Sequence, residues 1–259
     1  MKIINVFKNK YHQKNHLISY TQNFIISLLN LQNKLINKKD EYILRDISFQ
    51  IEQGSINMII GPNGAGKSSL AKIIANLDKN YQGRILHNFK NIGYLPQNIL
   101  VNHTLPIDKN TLQNIIKSCK YNNLDIKYSN FTLDKINNLI KHIVNKQIHL
   151  LSGGSFKRIL LHSIFMNNYD FIILDEPNQN LDLESEEILY DIILHLKKEY
   201  NITFIIISHD LYTVMKYADK VICLNNHICC KGIPNDIIKD AKFVALYAHA
   251  HKFCNLNHI

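Results

Sequence analysis

Hydrophobic residues fall along the chain in two patterns that predict different elements. Short isoleucine-rich runs bounded by polar or glycine residues indicate buried strands, and the clearest are 56–60, 171–174 and 203–207. Apolar residues at helical spacing follow the first run at 70–75 and recur around 158–164. This alternation of strands and helices predicts an α/β fold with a parallel central sheet.

Two regions depart from the alternation. A predicted hairpin, formed by 220–224 and 228–230, gives the sheet an antiparallel β edge. Between about 98 and 150 the apolar residues recur at helical spacing, which predicts an inserted α-helical subdomain. The residues that set this spacing are Leu112, Ile115, Ile116, Ile136, Leu139, Ile140 and Ile143. We therefore divide the chain into an N-terminal extension, a core domain and a C-terminal tail, at 1–24, 25–240 and 241–259.

Composition narrows the possible functions. The 259 residues are 46% hydrophobic, enough for one large domain, and no apolar run approaches the length of a membrane span. Five cysteines do not make a disulfide framework in a chain of this size, so we expect a reducing compartment. The formal charge of +9 permits an anionic partner, but the lysines are spread along the whole sequence. We therefore predict no nucleic-acid partner.

A phosphate-binding pattern follows the first buried run. The spacing G-x-x-x-x-G-K-S lies between a predicted strand and a predicted helix, which is the context that this motif requires. We expect Lys67 to reach the β- and γ-phosphates of a nucleotide and the Ser68 hydroxyl to bind Mg²⁺. The predicted nucleotide-binding residues of this loop are Gly61, Pro62, Asn63, Gly64, Ala65, Gly66, Lys67, Ser68 and Ser69.

Four later residues have the chemistry that nucleotide hydrolysis needs. Gln97 ends a predicted strand and can contact Mg²⁺ or the attacking water, and Asp175 ends an apolar strand with a second magnesium carboxylate. Glu176 can polarise a water molecule for attack on the γ-phosphate, and His209 can hydrogen-bond that phosphate. Gln97 or His209 alone is more often structural, but here they follow a phosphate loop in a fixed order. We predict Glu176, His209 and Gln97 as catalytic and Ser68, Gln97 and Asp175 as Mg²⁺ ligands.

The whole set resembles the ATP-binding-cassette (ABC) ATPases, a family of P-loop NTPases. The resemblance covers about 24–239 and includes a signature at Leu151–Gly154 and the loop Asn180–Asp182. It implies an ABC-type nucleotide-binding domain with ATP and Mg²⁺ as cofactors. It also implies a head-to-tail dimer with a second copy of the chain, in which each signature serves the partner's γ-phosphate. The nucleotide-binding residues that the resemblance adds are Ser152, Gly153, Gly154 and Asp182.

Two positions depart from the family pattern. The fifth signature position is Ser155, where glutamine is commoner. The aromatic residue that usually stacks on adenine falls near Lys38 and Lys39 by spacing, which leaves Tyr42 as the available aromatic. An adenine contact and a surface tyrosine at a strand start describe Tyr42 equally well.

A narrower resemblance is to the ATPases of bacterial zinc importers. It rests on the segments Ile92–Gln97, Thr104–Pro106, Glu176–Gln179, Ser208–Leu211 and Cys223–Gly232. It implies that ATP hydrolysis is coupled to zinc uptake by a peripheral subunit on the cytoplasmic side of the inner membrane. The implied partners are a multi-span permease and, indirectly, a periplasmic zinc-binding protein. The alternatives are an importer of another divalent metal, manganese or iron, and a soluble ABC ATPase without a transport role.

Two groups of residues outside the predicted ATP site have metal-binding side chains. His249, His251, Cys254 and His258 suit Zn²⁺, but they also fit a solvated tail. Cys229 and Cys230 are adjacent in a predicted strand, and adjacent strand residues point to opposite faces. We therefore expect at least one of these cysteines to be a buried small residue instead of a ligand.

Overall fold

The structure is a computed structural model that describes residues 24–34, 42–97, 128–141, 143 and 153–247. Its strands, numbered in chain order, are β1 Phe24–Lys34, β2 Tyr42–Glu52, β3 Ile56–Ile60, β4 Gln82–His87, β5 Ile92–Leu95, β6 Phe171–Asp175, β7 Thr203–Ile207, β8 Lys220–Asn225 and β9 His227–Gly232. Its helices are α1 Lys67–Ile74, α2 Asn130–Asn138, α3 Gly153–Phe165, α4 Leu183–Tyr200, α5 Leu211–Tyr217, α6 Pro234–Ile237 and α7 Ala241–Tyr247. The predicted alternation of strands and helices is confirmed.

The central sheet has six strands in the order β5-β6-β7-β3-β8-β9. The strands from β5 to β8 run parallel, and β9 pairs antiparallel with β8. Every residue of β3, β6 and β7 is buried, which is why these strands read as continuous apolar runs. Because parallel strands end at the same edge, the segments that follow β3, β5, β6 and β7 meet there.

Two hydrophobic clusters cover the two faces of this sheet. On one face, a three-stranded antiparallel sheet of order β2-β1-β4 packs with α1 in a cluster that includes Leu28, Leu70 and Ile205. On the other face, helices α2 to α7 pack in a cluster that includes Phe165 and Leu189. The central sheet therefore lies between two packed layers, which fix the position of its carboxyl edge.

The predicted hairpin at the edge of the sheet is formed by β8 and β9. Cys223 pairs with Cys230 and Leu224 with Ile228, so Cys229 is an extra residue in a β-bulge. Cys230 belongs to the cluster on the helical face, and the half-buried Cys229 packs against that same cluster. The expectation that the two adjacent cysteines point to opposite faces is therefore wrong, because the bulge interrupts the alternation. Cys230 is a buried small residue, as predicted.

Part of the predicted helical subdomain lies within the described residues. Helix α2 carries Ile136 into the cluster on the helical face, and the turns after it bury three more of the predicted apolar positions, Leu139, Ile140 and Ile143. The predicted positions Leu112, Ile115 and Ile116 lie outside the described residues.

The ends of the chain are described only in part. The predicted extension contributes Phe24, the first residue of β1, and the rest of it lies outside the described residues. The predicted tail begins with α7, whose Phe243 is buried, so core packing continues past residue 240. The candidate tail ligands His249, His251, Cys254 and His258 lie outside the described residues. In the ranges that the structure covers, no helix is both long and apolar enough to cross a membrane.

Candidate active site

The loop between β3 and α1 has a backbone that requires glycine at two positions. A side-chain carbon at Gly61 would lie 2.0 Å from the carbonyl oxygen of Leu224, in β8. Gly66 has φ +91°, and a side-chain carbon there would lie 2.6 Å from the Leu44 side chain, in β2. The loop is therefore in direct contact with two strands, and the N-terminus of α1 that follows it favours a bound anion.

Lys67, the first residue of α1, folds back over this loop. Its Nζ donates hydrogen bonds to the carbonyl oxygens of Gly61 at 2.8 Å and Pro62 at 2.9 Å. Burial lowers the pKa of the Lys67 ammonium, and the nearby charges of Glu176 and Asp175 oppose that shift. The ammonium thus lies between the loop and the acidic end of β6, where it can bind phosphate oxygens.

Asp175, the last residue of β6, is 1% exposed. Burial raises the pKa of its carboxyl, against the lowering effect of a hydrogen bond with Ser68 and of the charges of Lys157 and Lys67. Among the described residues its Oδ1 atom has no hydrogen-bond partner. A buried carboxylate oxygen without a partner, beside a serine hydroxyl, is a set of oxygen donors that suits Mg²⁺. Both residues therefore fit the predicted metal site.

Glu176 and His209 are in contact. Glu176 has φ +51°, an uncommon backbone conformation for a residue with a side chain. Its amide donates a hydrogen bond to the carbonyl oxygen of Ile207 at 3.0 Å, which ties it to the end of β7. Its Oε2 lies 2.6 Å from Nδ1 of His209. The Glu176 side chain is 7% exposed and that of His209 is 70% exposed, so a buried carboxylate is joined to an accessible imidazole.

Gln97 follows β5 and is exposed. Its backbone carbonyl accepts a hydrogen bond from Nζ of Lys157 at 3.4 Å. This contact joins the segment after β5 to helix α3, and the sequence reasoning did not single out Lys157.

The other predicted nucleotide-binding residues lie at the starts of α3 and α4. Gly153 and Gly154 are the first residues of α3, and Ser152 lies outside the described residues. Asp182 is the N-cap of α4, where its carboxylate accepts a hydrogen bond from the Ser185 amide at 2.8 Å. Hydrogen bonds with Ser185 lower the pKa of Asp182. In this structure the Asp182 carboxylate therefore caps a helix.

Comparisons with known proteins agree with this arrangement. A sequence model of the ABC transporter family matches residues 44–179. The chain is 39% identical to the zinc import ATP-binding protein ZnuC of Rickettsia conorii over 234 residues, which is 88% of this chain and 97% of that protein. This chain belongs to the ABC transporter family. It is an ATP-binding subunit of that family and an ATPase.

Further ABC proteins are similar to this chain in sequence or in structure. The ZnuC proteins of Vibrio vulnificus and Buchnera aphidicola are 37% and 38% identical, over 86% of this chain and 84% and 92% of their own length. Among solved structures, an inward-facing metal-chelate type ABC transporter has a TM-score of 0.69 at 22% identity and covers 87% of this chain and 90% of that one. A dimeric ATP-binding cassette bound to ADP and Pi has a TM-score of 0.65 at 21% identity, over 81% of this chain and 99% of that one. These two structures support the fold.

In this ABC ATPase, Glu186 joins the two segments that carry Glu176 and His209. Its Oε1 accepts hydrogen bonds from Asn178 Nδ2 and from Thr213 Oγ1, each at 3.1 Å. Asn178 lies two residues after Glu176, and Thr213 lies in α5, the helix that follows His209. The sequence analysis above did not single out Glu186. Only the three-dimensional proximity of α4 and α5 reveals this bridge.

A cavity of about 590 Å³ lies beside the phosphate loop of the ATPase. Tyr42, Arg45, Gly64, Asn226 and His227 are among its lining residues. The Asn226 amide donates a hydrogen bond to the Ala65 carbonyl oxygen at 3.0 Å, which fixes the hairpin turn against the loop. The one aromatic candidate from the sequence therefore shares a cavity with a phosphate-loop glycine, as an adenine contact requires.

Proposed function

We propose that this chain is the ATP-hydrolysing subunit of a bacterial zinc importer. The observation that carries the proposal is its 36–39% identity to zinc import ATP-binding proteins of several bacteria, over most of both chains. In such an importer the chain is a peripheral subunit on the cytoplasmic side of the inner membrane. Its partners are a multi-span permease and, indirectly, a periplasmic zinc-binding protein.

ATP binds at the carboxyl edge of the central sheet in this proposal. The loop from Gly61 to Gly66 surrounds the phosphates with backbone amides, and the Lys67 ammonium binds the β- and γ-phosphate oxygens. The contacts of Lys67 with the Gly61 and Pro62 carbonyl oxygens keep the ammonium at the loop, ready for this role. Tyr42 supports the adenine ring from the adjoining cavity.

Ser68, Asp175 and Gln97 would hold the magnesium ion. The orphaned Oδ1 of Asp175 and the neighbouring Ser68 hydroxyl support this assignment. When bound, Mg²⁺ neutralises charge on the phosphate oxygens. Burial of Asp175 limits access of water to the site and keeps this carboxylate in one orientation.

Glu176 accepts a proton from the water that attacks the γ-phosphate. Its carboxylate is buried and oriented by the 2.6 Å contact with Nδ1 of His209. That contact uses one ring nitrogen, and Nε2 of the exposed imidazole donates a hydrogen bond to the γ-phosphate when both ring nitrogens carry protons. The bridge through Glu186 holds the two segments at a fixed spacing.

The active assembly is a head-to-tail dimer of this chain. Residues Ser152, Gly153 and Gly154 of one protomer bind the γ-phosphate of the partner's ATP. Gly153 and Gly154 begin α3, so the amides at that helix start can point towards an anion outside the protomer. Asp182, at the start of α4, lies in the loop that meets the other protomer, and its capping role fixes that loop.

The proposal is tested by growth of cells that lack this chain. In medium with a zinc chelator these cells should grow slowly, and added zinc should restore growth whereas manganese or iron should not. Cells that carry Glu176→Gln at the same protein level serve as the matched control and should grow like the deletion. Rescue by manganese alone would reassign the transported metal. A chain that copurifies with ribosomes in place of the membrane would overturn the transport function.

A further inference from the structure

Lys157 is a buried lysine that none of the roles above uses. It lies in α3 and is 7% exposed, although lysine is almost never buried without a charged or polar partner. Its one hydrogen bond in the described structure is the 3.4 Å contact from Nζ to the Gln97 carbonyl oxygen. The position therefore needs a partner beyond that carbonyl.

The charges of two active-site carboxylates act on Lys157, although no ion pair within 4.0 Å joins them to its ammonium among the described residues. Burial lowers the pKa of Lys157, and the charges of Asp175 and then Glu176 oppose this effect. Seen from Asp175, the charge of Lys157 has a larger influence than that of Lys67, the lysine of the phosphate loop. The ammonium of Lys157, carried by α3, and that of Lys67, carried by α1, therefore both act electrostatically on the acidic end of β6.

The position of Lys157 along α3 gives this contact a second consequence. Gly153, the first residue of the helix, lies four residues before Lys157, which is about one helical turn. One turn of helix therefore separates the signature glycines from an ammonium that contacts the Gln97 carbonyl oxygen. In the dimer described above, the start of this turn, at Gly153, binds the partner's ATP. Its other end, at Lys157, lies next to the ATP site of its own protomer.

We propose that Lys157 is a positioning residue that fastens the signature helix to Gln97 of its own protomer, within electrostatic reach of the magnesium carboxylate, and so links the two ATP sites of the dimer. This inference rests on the proposed dimer. A change in the position of Gln97 when nucleotide binds shifts α3 through Lys157. The shift moves Gly153 and Gly154 relative to the partner's γ-phosphate.

Three variants at this position separate charge from hydrogen bonding. Lys157→Met has neither, Lys157→Gln keeps a donor without the charge, and Lys157→Arg keeps both. Lys198→Met is the control, because the Lys198 side chain is 83% exposed on α4 and lies outside the site. Each purified full-length protein is assayed for the rate of ATP hydrolysis against MgATP concentration, with thermal unfolding measured in parallel.

We expect Lys157→Met to lower kcat by about ten- to a hundred-fold, the loss that follows a small misplacement of reacting groups. The KM for MgATP should stay within about three-fold of the wild-type value, because Lys157 does not touch the phosphates. The Hill coefficient should fall from about 2 in the wild type towards 1, since two linked sites become independent. Lys157→Arg should restore the Hill coefficient, Lys157→Gln should not, and Lys198→Met should match the wild type.

Other results overturn the inference. A Lys157→Met protein with wild-type kcat and Hill coefficient excludes the link, and so does one that only melts earlier. If Lys157→Met does not fold, the comparison of Arg with Gln decides, and equal Hill coefficients for these two variants contradict the proposal. A wild-type enzyme that hydrolyses ATP without cooperativity overturns both the dimer and the link, whereas cooperative wild-type activity with no effect of Lys157 overturns the link alone.

Discussion

Replacing Glu176 by glycine and by alanine separates the strain of its backbone from the chemistry of its carboxylate. Both variants lose the carboxylate and its 2.6 Å contact with His209. They differ by one methyl group at a residue whose φ is +51°. Any difference in stability between them therefore reports the cost of a side chain in the left-handed conformation.

The size of that difference follows from two opposing effects. A side chain in the left-handed region costs about 1–2 kcal/mol in the folded protein. Glycine loses about 0.5–1 kcal/mol on folding because its unfolded chain is freer. At the middle of both ranges, about 1.5 less about 0.75 kcal/mol, the balance favours Glu176→Gly over Glu176→Ala by roughly 0.75 kcal/mol, which makes its Tm higher by about 1.5–3 °C in a domain of this size. Both variants should hydrolyse ATP more slowly than the wild type by about 10²–10⁴, because the general base is gone.

The assay is thermal unfolding of both variants without nucleotide, followed by ATP turnover. Glu187 is the matched control. It lies within α4, away from the helix ends, its side chain is exposed, and its backbone is helical. There the order should reverse, with alanine more stable than glycine by about 1 kcal/mol. If Glu176→Gly melts at or below the temperature of Glu176→Ala, the backbone at Glu176 is not strained and the reasoning fails.

Further changes test individual residues of the site. Glu176→Gln should bind Mg-ATP and accumulate as an ATP-bound dimer on size-exclusion chromatography, and near-normal turnover of this variant would remove Glu176 from the role of base. Lys67→Ala should lose nucleotide binding in calorimetric titrations, because the ammonium no longer holds the phosphates; wild-type affinity would refute its phosphate contact. Asp182→Ala should lower the free energy of unfolding in urea by about 1 kcal/mol through loss of the helix cap, and an unchanged urea midpoint would argue against that cap. If the tail senses zinc, replacing its four candidate ligands by serine should change how ATPase activity responds to added Zn²⁺, and an unchanged response would exclude zinc sensing by this group; the four are His249, His251, Cys254 and His258.

The parallel core could be predicted from the sequence because burial on both faces leaves a direct trace. Strands β3, β6 and β7 are buried at every position, so each appears as an uninterrupted apolar run. The motifs then predict which edge of the sheet carries the site, because β3 ends at the phosphate loop and β6 ends at Asp175. The sequence therefore predicted that Glu176 and His209 act at the same γ-phosphate, and the direct contact between the two side chains appears only in the structure.

Features that depend on irregular backbone or on distant side chains could not be predicted. The bulge at Cys229 has no glycine or proline to mark it, and it reverses the expected direction of one side chain. Lys157 is a buried charged residue whose hydrogen-bond partner, the Gln97 carbonyl oxygen, lies 60 residues away in the sequence. The bridge through Glu186 likewise depends on how α4 packs against α5. For Lys157 and Glu186, the hydrogen-bond partners come close only in the folded chain.

The most direct test of the proposed zinc import is the uptake of radioactive zinc by cells that lack this chain. Wild-type protein supplied from a plasmid should restore energy-dependent uptake, and Glu176→Gln at an equal level should not. Excess unlabelled zinc should compete with the label, whereas manganese and iron should not. Equal uptake with and without the wild-type protein would contradict the account, and so would uptake that manganese or iron abolishes as effectively as zinc does.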